Sequence, residues 1–392
     1  PPPRFPAEDG IRDESLRLVG SEMCIRDRRD LVTGTDTLVL GWAGSTNLGD
    51  ELIVRAVADL VRVAGGQPTV VTVDPEQSAA LEVPLVRHAG VLDTIALAAA
   101  VGRHRAAVFG GGGLIQDETG PLNLPFHLTR LTVARARRLP WAGLALGFGA
   151  VRRRSSRLLV RALLRGSVAM SVRDEASVQR CRDLTGLTPL LAADPVLGTT
   201  TDTVAPTDHL VVSLRRANRP GQRRLATSDP VDATRVRRWA NLIDEVAAHH
   251  DLAVRFVAWE RVQDQQLHRA VADRLRTEAV LETPGPAEIV GRMGAGRLVL
   301  SMRYHGAVAA LLHGRPAIVL DYSPKMGDLV AESRGGLALA SLDVDAAGVL
   351  GHAERIIPRA DQRAAALAAL RSRADRNAGV VETLLDRATL DR

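Results

Sequence analysis

The sequence predicts an α/β protein built as two Rossmann-like domains in tandem, with a cleft between them and a helical C-terminal tail. Three observations predict it. After about residue 35, short apolar runs alternate with longer segments of helical period, the pattern of parallel βαβ units. One polar, turn-rich stretch, TTTDTVAPTD at 199–208, interrupts the alternation, which then starts again. Four of the strand-to-helix junctions carry clusters of Gly, Asn, Asp, Arg, His or Lys, where open parallel sheets bind their ligands.

In chain order, TLVLGWAG (37–44) reads as a buried strand. A helix follows, with Leu52, Ala56, Leu60 and Ala64 on one face and Ile53, Val57 and Val61 beside it; Asp50 is the expected N-cap and Gly65-Gly66 the stop. Further strands fall at 69–74, 106–111, 141–150 and 168–174, with helices at 155–165 and from Asp174. Beyond the break, strands are expected at 209–216, 252–260, 297–305 and 316–323. Helices are expected at about 234–249, 262–276, 286–294 and 305–313. An Ala/Arg-rich helix at 360–390 has the composition to pack back across both domains. The domains are therefore placed at 35–205 and 206–345, with a helical segment at 346–392. Residues 1–34 are set aside as a disordered or non-native tail: 1–28 has no period and no signal-peptide core, and resembles a translated sequencing adapter.

Composition narrows the function classes. A hydrophobic fraction of 46% and a charged fraction of 24% suit a folded soluble chain, and no apolar stretch is long enough to span a bilayer. The net charge is +6, but the Arg are scattered among Asp and Glu and aromatics are only 3%, which argues against a nucleic-acid platform. Cys24 and Cys181 cannot form a disulfide framework or metal cluster, which fits a reducing compartment. No HExxH pair, P-loop, dinucleotide fingerprint or Gly-x-Ser-x-Gly elbow is present, so neither a metal nor a cofactor is expected. Of the 51 basic residues, 50 are Arg and one is Lys325. Arg and Lys differ in shape and hydration, so a chain that otherwise avoids Lys marks this position.

Four segments hold candidate site residues. GSTNLGD (44–50) offers Asn47, Gly49 and Asp50 at a helix N-terminus, either as a ligand loop or as a tight capped turn. GGGGLIQD (110–117) offers Gly111, Gly112, Gly113, Gln116 and Asp117; four consecutive glycines cost backbone entropy, and a nest of N–H groups for an anion is one reason to keep them. In SMRYHG (301–306), strand alternation puts Ser301, Arg303 and His305 on one side, an anion clamp beside a proton donor. The plainer alternative is an Arg solvated at a sheet edge and a His capping the next helix. DYSPK (321–325) brings Tyr322 and Lys325 to the end of the next strand, and Arg215 ends another.

In family order, GWAGSTNLGDELI, GGGGLIQDETG, SVRDEASV, ADPVL, VSLR, FVAWERVQDQQL and SMRYHGAVAALLHGRPAIVLDYSPK resemble the polysaccharide pyruvyl transferase family, over about residues 38–330. The resemblance implies a GT-B-like pair of domains. It also implies transfer of pyruvate from phosphoenolpyruvate to a sugar of a cell-surface glycan, as a ketal, with release of phosphate. By the same resemblance Arg303 and His305 fall on an Arg-x-His motif, with Tyr304 where Leu is usual, Lys325 on a Tyr-x-x-Lys motif, and Arg215 on a strand-end Arg. His305, Arg303 and Lys325 are then the expected catalytic set, with Arg215, Ser301 and Tyr322 toward the donor. Asn47, Gly49, Asp50, the glycine loop, Gln116 and Asp117 fall toward the acceptor. The expected partners are phosphoenolpyruvate and a saccharide. The expected location is the cytoplasm, at the inner membrane face if that saccharide is lipid-linked. The rival readings are a nucleotide-sugar glycosyltransferase of the same shape and a non-catalytic sugar- or anion-binding module.

Overall fold

A computed structural model describes residues 34–117, 122–216 and 231–390; the expected tail, apart from Gly34, lies outside the described residues. The first domain runs β1 (Thr35–Ala43), α1 (Leu48–Val63), β2 (Gly66–Thr72), β3 (Leu85–Arg87), α2 (Thr94–Arg103), β4 (Ala106–Ile115), α3 (Asn123–Ala136), β5 (Trp141–Phe148), α4 (Arg154–Leu164), β6 (Met170–Val172), α5 (Glu175–Thr185) and β7 (Leu190–Leu191). Its strands form one parallel sheet in the order β3-β2-β1-β4-β5-β6-β7.

The second domain repeats the plan. It runs β8 (Thr207–Ser213), α6 (Ala233–His250), β9 (Ala253–Val257), α7 (Gln263–Ala272), β10 (Ala279–Glu282), α8 (Ile289–Gly294), β11 (Gly296–Ser301), α9 (Tyr304–Leu312), β12 (Ala317–Asp321), α10 (Pro324–Glu332), β13 (Ala338–Ser341), α11 (Ala346–Ile356) and finally α12 (Ala360–Leu390). Its sheet is parallel in the order β10-β9-β8-β11-β12-β13. Both sheets share the doubly wound order in which the direction of winding reverses between the first and fourth strands.

Strand alternation sorts the core. In β1, Leu38 and Leu40 join a cluster with Leu97, Phe109, Leu124 and Val160 on one face of the sheet. Val39 points the other way, into a cluster with Ile53, Val57, Leu384 and Leu385. That second cluster also takes in Val211, Val308 and Leu311, so apolar packing runs without a break from one domain to the other. Full burial of each such side chain contributes about 1.5–3 kcal/mol. The end of the second domain differs in one way from the expected tail: α11 packs on α6, β12 and β13 and belongs to that domain. Only α12 crosses back, and Asn377 pins it to the first domain, accepting from Ser171 Oγ at 2.7 Å and donating to the Ala193 carbonyl at 3.0 Å.

Three local expectations need correction. The N-cap of α1 is Asn47, not Asp50: its backbone is extended and its side chain accepts from Gly49 N, while Asp50 sits one turn into the helix and accepts from Asn47 Nδ2 at 2.7 Å. The four glycines are not a loop but the carboxyl half of β4, hydrogen-bonded to β5 with a register shift after Gly112. And the strand expected to reach residue 305 stops at Ser301, where Ser301 Oγ accepts from Arg303 N at 3.0 Å and turns the chain into α9. Arg303 and His305 are therefore an N-cap residue and a first-turn helical residue, not neighbours along a strand.

Candidate active site

The carboxyl ends of β1 and β4 in one sheet and of β8, β11 and β12 in the other open on the boundary between the domains. The two halves touch there: Leu48 N donates to the Trp259 carbonyl at 2.9 Å, and Asn47 pairs with Glu260 in an isolated bridge. Two adjoining cavities occupy the boundary. The inner one, about 60 Å³, is lined by Asn47, Asp50, Gly112, Arg303, His305 and Trp259 among others. The outer one, about 640 Å³, runs along Gln116, Gly147–Arg152, Arg157, Arg180 and Asp328. Gly113, Arg173, Arg215, Tyr322 and Lys325 line both and form the step between them.

His305 is 8% exposed and is held from three sides. Its Nε2 faces Asp194 Oδ2 at 3.5 Å, and its ring lies 5.2 Å from that of Tyr304 and 6.1 Å from that of Trp259. Its Nδ1 lies against Gly49, where a Cβ would come within 2.2 Å, so glycine is needed for the imidazole to fit. Asp194 caps the short helix after it through Val196 N at 3.1 Å with one oxygen and turns the other to His305. Burial alone would raise the Asp194 carboxyl, but His305 and Arg173 outweigh it and hold the group below its usual range. Asp50, on the other side, is pushed up by burial against the pull of His305, Asn47 and Lys325.

Arg303 does not reach freely into the cleft. It grips buried Asp264 through Nε at 2.8 Å and through Nη2, and Asp264 also accepts from the Trp259 and Glu260 backbones at 3.1 and 3.0 Å. Burial disfavours the charged guanidinium, yet Asp264 holds its pKa above the usual value. Lys325 is the second residue of α10, behind Pro324. A cation at a helix N-terminus opposes the macrodipole by about 0.3–1 kcal/mol, so something other than helix stability keeps it there. The Tyr322 hydroxyl accepts from Arg215 Nη1 at 2.8 Å, with the Arg215 guanidinium 4.4 Å and Lys325 Nζ 5.6 Å from its ring centroid.

Not every expected residue reaches the cavities. Ser301 is fully buried and spends its hydroxyl on the Arg303 backbone. Asp117 accepts from Arg152 N and Arg153 N, both at 2.9 Å, and fixes the start of α4. Gly111 sits behind the wall: its φ is +78° and a Cβ would meet Ile53 at 2.1 Å. Gln116, Gly112 and Gly113 do face the cavities. Arg173 was not expected in the site. It closes β6, bonds Asp174 at 3.1 Å and stacks 4.6 Å from Tyr304. It carries the signal that singled out Arg215, an Arg at a strand end, hidden by the capping Asp174 beside it. Asp264 and Trp259 gave no such signal, because their roles appear only when β11 is laid beside β8 and β9. Among the described residues, no group of three or more His, Cys, Asp or Glu is placed to hold a metal ion.

The model of the polysaccharide pyruvyl transferase family matches residues 47–324, well over half of the 392-residue chain. The chain belongs to the polysaccharide pyruvyl transferase family. The matched stretch carries Asn47, Asp50, Arg173, Asp194, Arg215, Arg303, His305 and Tyr322, and Lys325 lies one residue beyond it. A search of curated protein sequences finds no match. Among solved structures, Staphylococcus aureus MnaA with UDP is similar at a TM-score of 0.57 and 10% identity, covering 84% of this chain and 90% of that one. Neisseria meningitidis UDP-GlcNAc 2-epimerase bound to UDP-GlcNAc gives 0.57 at 11% identity, covering 90% and 100%. Anabaena HepE with UDP-glucose gives 0.53 at 13%, covering 91% and 100%. At these identities the likeness shows the fold, a GT-B-like pair of Rossmann domains. In this member of the pyruvyl transferase family, Tyr304 stands where the resemblance expects Leu, and it fills the space between Arg173 and His305.

Proposed function

We propose that this protein transfers pyruvate from phosphoenolpyruvate to a sugar of a cell-surface glycan, forming a ketal and releasing inorganic phosphate. The observation that carries this reading is the inner cavity, where Arg173, Arg215, Arg303 and Lys325 surround His305 in about a tenth of the outer cavity's volume. Phosphoenolpyruvate places a carboxylate and a phosphate on a three-carbon frame, and cations fixed around a small space favour such a donor. The larger outer cavity, lined by Gln116 and Gly147–Arg152 together with Arg157 and Arg180, has the room for a saccharide.

The reaction needs one proton delivered to C3 of the donor as an acceptor oxygen bonds to C2. A second hydroxyl then bonds to C2 as phosphate leaves. His305, positioned by Asp194, handles protons at the donor. Arg303, immobilised by Asp264, and Lys325 stabilise charge on the carboxylate and the departing phosphate without reorganising. No metal or cofactor enters this scheme. The solved structures of similar fold hold UDP or UDP-sugars, and a nucleotide-sugar glycosyltransferase is the rival reading. That reading needs an acidic residue for the ribose in the second domain, and Glu288, ahead of α8, lines a separate groove behind α1 with Leu52 and Pro195.

The test is release of phosphate from phosphoenolpyruvate with and without saccharide acceptors, with product identified by mass. Acceptor-dependent release with ketal formation is expected. Transfer from a UDP-sugar and no phosphate release contradicts the reading.

A further inference from the structure

Among the groups of the site that could move protons, His305 and Tyr322 stand in different places. His305 lines only the inner cavity, whereas Tyr322 lines both. We propose that Tyr322 acts as a phenolate general base, taking the proton from the sugar hydroxyl that attacks the donor, while His305 supplies the proton to the donor's methylene carbon. The inference rests on the phosphoenolpyruvate reading and divides its proton chemistry between two residues.

The geometry supports the division. Tyr322 follows β12 at the step between the cavities and lines both, so a donor in the inner space and a sugar in the outer space would each border its side chain. Three cations surround it. Arg215 donates to the oxygen at 2.8 Å and lies across the ring, Lys325 sits 5.6 Å from the ring centroid, and Arg303 adds its charge from α9's N-cap. Burial by itself would raise this phenol, but Lys325, Arg215 and Arg303 outweigh it and bring it down to about 7. Tyr304, which also lines the inner cavity, goes the opposite way: burial pushes its phenol well above the ordinary value, even with Arg173 over its ring. One tyrosine is thus tuned toward ionisation and the other away from it. Atoms balance. The hydroxyl proton passes to the phenolate oxygen, the sugar oxygen bonds to C2, and the C2–C3 π pair takes a proton from His305. The second hydroxyl's bond to C2 then displaces phosphate, which carries its own bonding pair and the second proton away.

The chain has two tyrosines, Tyr304 and Tyr322, so the ionisation can be read directly. Tyrosinate absorbance near 295 nm is titrated in the full chain, in Tyr322→Phe and in Tyr304→Phe. The expected result is a one-tyrosine step near pH 7 that Tyr304→Phe keeps and Tyr322→Phe loses. In parallel, the rate of acceptor-dependent phosphate release should climb through the same pH in the wild type. In Tyr322→Phe, which removes one oxygen and leaves the ring packed, the rate should fall by about 10²–10⁴-fold and that climb should vanish. No tyrosinate below pH 9, or an unchanged pH profile in Tyr322→Phe, overturns the proposal while phosphate release leaves the reaction standing. Wild-type protein that releases no phosphate with any acceptor overturns the reaction itself, and the role of Tyr322 with it.

Discussion

Lys325 shows what a single residue can tell. In a chain with 50 Arg it is the one Lys, placed at a helix N-terminus where a cation is disfavoured, and it lines both cavities of the cleft. Lys325→Arg keeps the charge and replaces a point with a fork. It should lower kcat/KM for phosphoenolpyruvate by about tenfold or more, equivalent to about 1.4 kcal/mol of transition-state stabilisation, read from initial rates of phosphate release. Gly49 argues the same point from the other side. A methyl there meets the His305 ring, so Gly49→Ala should cut activity by about 10²-fold through misplacement of the imidazole, with donor affinity measured by calorimetry much less affected. Both residues were legible in the sequence, one by rarity and one by its place in a strand–helix turn. Asp194 was legible in part: in AADPVL it reads either as a residue of the interdomain face or as a turn cap, and it is both, capping through Val196 N and facing His305. Asp264 was not: it is an ordinary acid in its own segment and gains meaning only from Arg303, 39 residues away.

At the scale of elements, hydrophobic period placed most buried strands, because the parallel sheets bury both faces and their strands read as apolar runs, and most helices, but not α2, α3 or α10. It failed at edges and at strand ends. The short strands β3, β7, β10 and β13 border their sheets and were not placed; each is only two to four residues long. The boundary between β11 and α9 was misplaced by four residues, since Ser301 makes a side-chain turn that leaves no mark on the hydrophobic pattern. An anion nest is one reason for the glycines of β4; at Gly111 packing is another, because α1 sets its Ile53 against the strand. The cap of α1 gives a test at this scale. Asn47→Ala removes the bonds to Gly49 N and Asp50, and should cost about 1 kcal/mol of stability in chemical denaturation while also loosening the loop that touches Trp259.

For the whole molecule, the duplicated Rossmann plan could be read from the single polar break, but the bond between the halves could not. The core cluster that holds Val39 also holds Val211 and Leu384, and α12 ties back to the first domain through Asn377. The two halves should therefore unfold in one calorimetric transition. Asn377→Leu leaves buried Ser171 and the Ala193 carbonyl without their partner and should destabilise that transition by about 1–3 kcal/mol. No described helix is long and apolar enough to cross a membrane. The central claim concerns what the cations of the cleft hold. Calorimetric titration with phosphoenolpyruvate and, separately, with UDP-N-acetylglucosamine tests it most directly. The account predicts saturable binding of phosphoenolpyruvate, competed by inorganic phosphate and weakened by Lys325→Ala. Binding of the UDP-sugar with none of phosphoenolpyruvate contradicts it.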